Sequence, residues 1–204
     1  MSPDVLLAFA MTSALIELTP GPNMAYLALL AATEGRKAGV AAVAGVALGL
    51  AIVGALAAFG VAALISSSEW VYQSLRWGGV AYLLWLAWDG WRGAAEQVEH
   101  APLGSTLWRY FQRGLITNLL NPKAAVFYVA VLPSFLADTA ALPQTMTLCA
   151  IYVAVATAIH LAIVLLASTA QRFFDNPVRE RILRRVLSIG LGVVAIWFAF
   201  KTAR

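Results

Sequence analysis

The side chains able to carry chemistry are few, and they gather at two interruptions of otherwise apolar sequence. Glu17-Leu18-Thr19-Pro20-Gly21-Pro22-Asn23 places a carboxylate, two prolines and a glycine in a greasy stretch. Thr117-Asn118-Leu119-Leu120-Asn121-Pro122-Lys123 answers it with asparagines, a proline and an ammonium, Pro122 standing 100 residues after Pro22. Proline lacks a backbone donor and clashes with the preceding turn, so each motif should split a helix into two half-helices. Pro22 and Pro122 suit the first position of a new half-helix, and Asn121 is a good cap before the second. The half-helix N-termini then offer free N–H groups and partial positive charge, to which Lys123 adds a full one. The carbonyls around Leu18 and Thr19, with Glu17, offer the opposite potential. A zwitterionic amino acid needs both poles: its carboxylate on the N-termini with Lys123 or Asn121, its ammonium on Glu17 or the carbonyls. The candidate substrate-binding set is therefore Glu17, Thr19, Pro20, Gly21, Pro22, Asn23, Asn118, Asn121, Pro122 and Lys123.

Glu17 lies about 13 residues into its apolar run, roughly 20 Å along a helix and near the middle of a hydrocarbon core of about 30 Å. An unpaired charge there costs about 2.5–3.5 kcal/mol on insertion scales, which suits a carrier of protons. The competing readings are a carboxyl kept neutral and a structural lock with Lys123. Lys123 itself competes with snorkelling to an interface. His160, deep in a later apolar run, is a candidate proton relay with Glu17, against the alternative of a hydrogen-bonded packing residue. Asn118 and Asn121 read as caps, ligands or both.

The elements that position these residues are membrane helices. The chain of 204 residues is 61% hydrophobic and 12% charged, with apolar runs of about 20 residues separated by short polar clusters. The single cysteine, Cys149, excludes an internal disulfide or a CxxC framework. The net charge of +4 does not call for nucleic acid, because the basic residues sit in short loops beside apolar spans, where topology and anionic lipid headgroups explain them. The start, Met1-Ser2-Pro3-Asp4, lacks the positive region of a secretory signal, so the first span is expected to be retained.

Six spans are expected, at 5–32 with a break, 39–65, 71–91, 110–136 with a second break, 143–169 and 183–201. The loops after the first, third and fifth carry ten of the 14 Lys and Arg residues, Arg109 and Arg113 included, and the opposite side carries three. That bias predicts cytoplasmic loops and both termini outside. The C-terminal placement is the firmer, since a broken first span can be re-entrant. The segment 88–112 divides the chain into halves of three spans, residues 1–100 and 101–204, and an odd number per half turns the second copy upside down. The fold class is therefore all-α, a polytopic membrane protein with six transmembrane helices in two inverted three-helix repeats. Gly45 and Gly49 form a GxxxG face that serves either packing within the chain or a homo-oligomer. Trp70 and Tyr72 on one side, and Trp88, Trp91, Trp108 and Tyr110 on the other, read as interfacial anchors. After Asp175-Asn176-Pro177, residues 178–186 read as a capped, Arg-rich helix lying on an anionic leaflet.

With Thr19-Pro20-Gly21-Pro22-Asn23, Asn121-Pro122-Lys123 and six spans in view, the chain resembles the LysE/RhtB family of amino-acid exporters along essentially its whole length. The resemblance implies proton-driven efflux of small amino acids or derivatives through the bacterial cytoplasmic membrane, with no cofactor. Asn-Pro-Lys followed by Ala124-Ala125-Val126-Phe127-Tyr128 is closer to the RhtB-like branch, whose substrates resemble threonine, homoserine or leucine. Glu17 lies outside the motif that carries the resemblance, and a single intramembrane carboxylate argues against a cationic substrate. Metal export would need more ligands than Glu17 and His160. A membrane enzyme using Glu17 and Lys123 as an acid/base pair lacks any accompanying catalytic motif. A passive channel differs from an exporter in ignoring a proton gradient.

Overall fold

A computed structural model describes residues 1–19, 21–59, 68–92, 103–136, 142–169 and 177–201. Among them the secondary structure is helical throughout. Helix α1 (Pro3–Leu18) starts on a proline, and α2 (Pro22–Glu34) starts on another. The two are bent by 63° at the first motif. Gly35 then joins α2 directly to α3 (Arg36–Ala58) with φ of 87°, a backbone region open to glycine and strained for other residues. Helices α4 (Glu69–Trp91) and α5 (Leu103–Leu119) follow. The second motif ends α5 and begins the short α6 (Pro122–Val126), which continues through a π turn (Phe127–Val131) and a 3₁₀ turn (Leu132–Phe135). Helices α7 (Leu142–Thr169) and α8 (Pro177–Lys201) complete the chain.

Helices α3 and α7 are each long and apolar enough to cross a membrane, and α1 with α2 passes as a third, broken span. The perimeter is correspondingly greasy. Leu7, Met11, Leu15 and Leu18 form an exposed stripe on α1, and Ile182, Val186, Ile189 and Val193 form another on α8. In a soluble protein such faces would carry charge.

Packing crosses the middle of the chain. Helix α3 lies against α5 and α7, α7 lies against α1 and α2, and α4 lies against α8. Thus the second long helix of each half packs on the broken helix of the other half. The α3–α5 contact is a backbone contact: a methyl group on Gly45 would overlap the carbonyl of Phe111, and one on Gly114 would overlap that of Ala42. One turn along α3, Gly49 leaves room for Asn118. The Gly45/Gly49 face is therefore filled within the chain, which agrees with the first of its two readings, packing within the chain.

Three expectations change. Residues 178–186 do not form a separate surface helix, because α8 runs unbroken from Pro177 and no Gly or Pro separates the Arg-rich turns from the apolar ones before Ser188. Helix α5 begins at Leu103, so Arg109 and Arg113 sit on a helix and not in a loop. Tyr110 is buried and donates its hydroxyl to Glu34 at 2.9 Å, which removes it from the interfacial anchors. The expected stretch 60–65, Arg172 and the Asp175-Asn176 cap lie outside the described residues.

Candidate functional site

The two breaks face each other. At the first, α1 ends at Leu18, and Gly21 in extended backbone leads into Pro22 at the head of α2. At the second, the Asn121 side chain accepts from the backbone N–H of Lys123 at 3.0 Å, capping α6 as its sequence demands. Each break then reaches across to the other. Asn23, in the first turn after Pro22, donates Nδ2–H to Asn118 Oδ1 at 2.9 Å. Lys123, in the first turn after Pro122, donates from Nζ to the Thr19 carbonyl at 3.0 Å. Asn23 and Lys123 occupy matching positions after matching prolines, so the two contacts form a reciprocal clasp. Gly21 borders the clasp, and a methyl group there would meet Lys123 Cδ at 3.4 Å, an ordinary contact.

Glu17 lies one turn before the first break and is buried. Its carboxylate has three neighbours. Tyr152 Oη–H donates to Oε1 at 2.5 Å, His160 Nε2 stands 3.4 Å from Oε2, and Lys123 Nζ stands 4.0 Å from Oε2. Buried charge is sustained by such partners and is otherwise expensive. His160 Nδ1 has no hydrogen-bond partner, Nε2 faces only the Glu17 carboxylate, and the ring is 1% exposed. Lys123 is turned to Glu17 and Thr19 with its side chain 16% exposed.

An aromatic wall holds the carboxylate's partner. The Tyr152 ring stacks on Phe127 at 3.7 Å and 11°, and meets Tyr128 edge-on at 5.2 Å. Tyr128 donates to the Leu50 carbonyl at 2.9 Å, fixing its own ring against α3. Sequence reasoning missed Tyr152. Its signal was spacing: Tyr152, Ala156 and His160 repeat every four residues along the buried face of α7, and His160 was already singled out.

The structure thus brings together Glu17, Thr19, Gly21, Lys123 and His160 at one place, and Asn23 with Asn118 at an adjoining one. Asn121 acts on Lys123 through its cap, Pro22 and Pro122 open their helices, and Pro20 lies outside the described residues. Among the described residues, no three His, Cys, Asp or Glu side chains gather as a metal would require. What the arrangement offers is a buried carboxylate and an ammonium within reach of each other beside the ends of α1, α2 and α6. An opposed carboxylate and ammonium are chemically suited to a zwitterion or to a proton.

Residues 14–204 match the LysE type translocator family. The chain belongs to that family. This translocator is 36% identical over 131 residues to a homoserine/homoserine lactone efflux protein of Salmonella typhimurium, a match covering 63% of each chain. It is 31% identical over 211 residues to the uncharacterized membrane protein YahN of Escherichia coli, covering 97% of this chain and 92% of the relative. A threonine efflux protein of Escherichia coli is 31% identical over 143 residues, covering 66% of this translocator and 68% of that protein. No solved structure matches the chain. Membership of a translocator family sets the protein apart from the enzymes, and its apolar helices are those of a membrane protein.

Proposed function

We propose that this translocator exports small neutral amino acids or their derivatives, of the homoserine or threonine kind, from the cytoplasm through the bacterial inner membrane in exchange for protons. The observation that carries the reading is the buried Glu17 carboxylate, held at once by Tyr152, His160 and Lys123 where the two breaks meet. The names of the efflux relatives support the substrate class. The cross-packing of halves 1–100 and 101–204, with the reciprocal clasp, supports two inverted three-helix repeats of six spans. The loop charges support cytoplasmic loops after the first, third and fifth spans and both termini outside.

Exchange follows from competition for one carboxylate. Ionised Glu17 accepts the substrate ammonium, while Lys123 leaves it for the substrate carboxylate, helped by the N-termini of α2 and α6. A proton arriving from outside neutralises Glu17 and removes its hold on the ammonium, so the substrate departs. His160 passes that proton onward. Proton and amino acid occupy the carboxylate in turn, which couples their opposite movements.

The test is efflux of labelled threonine, homoserine, leucine and lysine from proteoliposomes, with and without a pH gradient, for the native protein and Glu17→Gln. Gradient-driven release of a neutral amino acid that the variant loses upholds the reading. Release indifferent to the gradient identifies a facilitator and overturns the coupling.

A further inference from the structure

Away from the breaks, four side chains join the halves in a second polar layer. Arg113 on α5 pairs with Asp89 on α4 at 2.6 Å, both side chains less than a quarter exposed. The Arg113 guanidinium also lies over the Trp85 ring at 5.2 Å. Four residues before Glu34, α2 still carries buried Leu30, and Glu34 itself accepts from Tyr110 at 2.9 Å. Every one of these contacts links residues 1–100 to residues 101–204. The layer lies at the basic end of the bundle: Arg36 and Lys37 follow Glu34, Arg92 follows Asp89 and Arg109 precedes Tyr110.

A polar stripe connects that layer to the breaks. On α2, Asn23, Tyr26, Leu30 and Glu34 repeat at three or four residues and share a face, covering about 16 Å. On α5, Tyr110, Arg113 and Thr117 do the same and lead to Asn118. Tyr26 is 3% exposed and its hydroxyl has no hydrogen-bond partner, and the amide group of Asn118 left over from its bond to Asn23 has none either. Buried polar groups without partners are uncommon in a finished core, and these two lie between the second polar layer and the breaks.

We infer that Asp89–Arg113 and Glu34–Tyr110 form the inner gate of the translocator, a layer closing the route between the basic end of the bundle and the two breaks. This deepens the exporter reading and rests on it for the identity of the cargo. Opening requires Arg113 to leave Asp89, and an ion pair this sheltered holds the closed state until substrate or a change at the breaks tips the balance. The charges are individually replaceable as a pair, which gives the test its rescue arm.

The probe is a membrane-impermeant maleimide applied to the inner face of inverted vesicles. Cys149 is the sole cysteine, so Cys149→Ala supplies a silent background into which Thr117→Cys is introduced. Thr117 is buried on the stripe, donates its hydroxyl to the Arg113 carbonyl at 2.7 Å and also hydrogen-bonds the Tyr82 hydroxyl of α4. Labelling should be slow with the gate intact and rise on the order of tenfold in Asp89→Asn, as expected when a minor open state becomes a major one. It should fall back in the exchanged pair Asp89→Arg/Arg113→Asp. Tyr110→Phe, which keeps the ring and loses only the bond to Glu34, should raise it in the same direction. Labelling that is fast from the outset, or unmoved by both Asp89→Asn and Tyr110→Phe, overturns the gate. Labelling that responds in vesicles that release none of the amino acids supports the gate and sinks the exporter reading instead.

Discussion

The ammonium of Lys123 lies 3.0 Å from the carbonyl oxygen of Thr19, a residue 104 positions earlier in the chain. That carbonyl is among the last of α1, where intrahelical donors run out, so Lys123 satisfies a group that the break itself orphaned. The same ammonium stands 4.0 Å from Glu17. Lys123 is thus shared between a fixed dipole and a titratable charge, and a substrate carboxylate must draw it from both.

Replacing Lys123 by Met keeps the length of the side chain and removes its charge. A charge-assisted hydrogen bond is worth about 1.5–3 kcal/mol, or about ten- to a hundredfold in affinity. The apparent KM for a neutral amino acid should rise by that range. Inhibition of efflux by the decarboxylated amine should not weaken, because the amine has no carboxylate to lose contact and meets one competing cation fewer at Glu17. Equal weakening of both ligands would remove Lys123 from the carboxylate side of the site.

Tyr152→Phe deletes the hydroxyl that donates to Glu17 and preserves the stack on Phe127. Gradient-driven efflux should slow and its pH profile should be displaced, with little change in thermal midpoint in detergent. Tyr152→Leu also loses the ring contact, worth about 0.5–1.5 kcal/mol, and should lower the midpoint as well. A pH profile identical to the native one in Tyr152→Phe would show that the hydroxyl does not report on the carboxylate.

Asn118→Ala strands the buried amide of Asn23 and should cost about 1–3 kcal/mol of stability. Asn23→Ala should cost a similar amount, and the double variant less than the sum, with a coupling of about 0.5–3 kcal/mol. Unfolding in detergent measures all three. Strict additivity would mean that the clasp between the breaks carries no energy of its own.

Gly45→Ala and Gly114→Ala drive a methyl group into main-chain atoms of the facing helix, which no rotamer change can relieve. Each should destabilise the protein by about 1–3 kcal/mol through overpacking. Gly190→Ala, on a part of α8 with nothing within 4 Å of the added carbon, should be neutral or slightly stabilising. Size-exclusion profiles should not distinguish the three, since the Gly45 face is spent inside the chain.

The breaks were legible because proline and asparagine act locally: Pro22 and Pro122 head their half-helices and Asn121 caps the second, as their chemistry requires. Glu17, Lys123 and His160 were each recognisable as misplaced polarity in apolar runs. Their meeting was not, since it depends on how α1, α6 and α7 pack. Tyr152 escaped notice because an aromatic in an apolar run is ordinary until a carboxylate is found beside it. Tyr110 and Arg113 were misread for the same reason. An aromatic near a basic loop looks like an interfacial anchor, and an arginine there looks like a topological charge; only Glu34 and Asp89, brought from the other half, give them partners. Residues 178–186 misled through composition, because an Arg-rich start says nothing about where the helix stops.

The glycine contact between α3 and α5 sets the mechanics of the molecule. Two helices touching main chain to main chain have no layer of side chains to shear or repack, so they behave as one stiff post. One leg of that post comes from each half of the sequence. The contact therefore ties residues 1–100 rigidly to residues 101–204. Asp89 and Glu34 meet that post from α4 and α2, each through a polar side chain of α5.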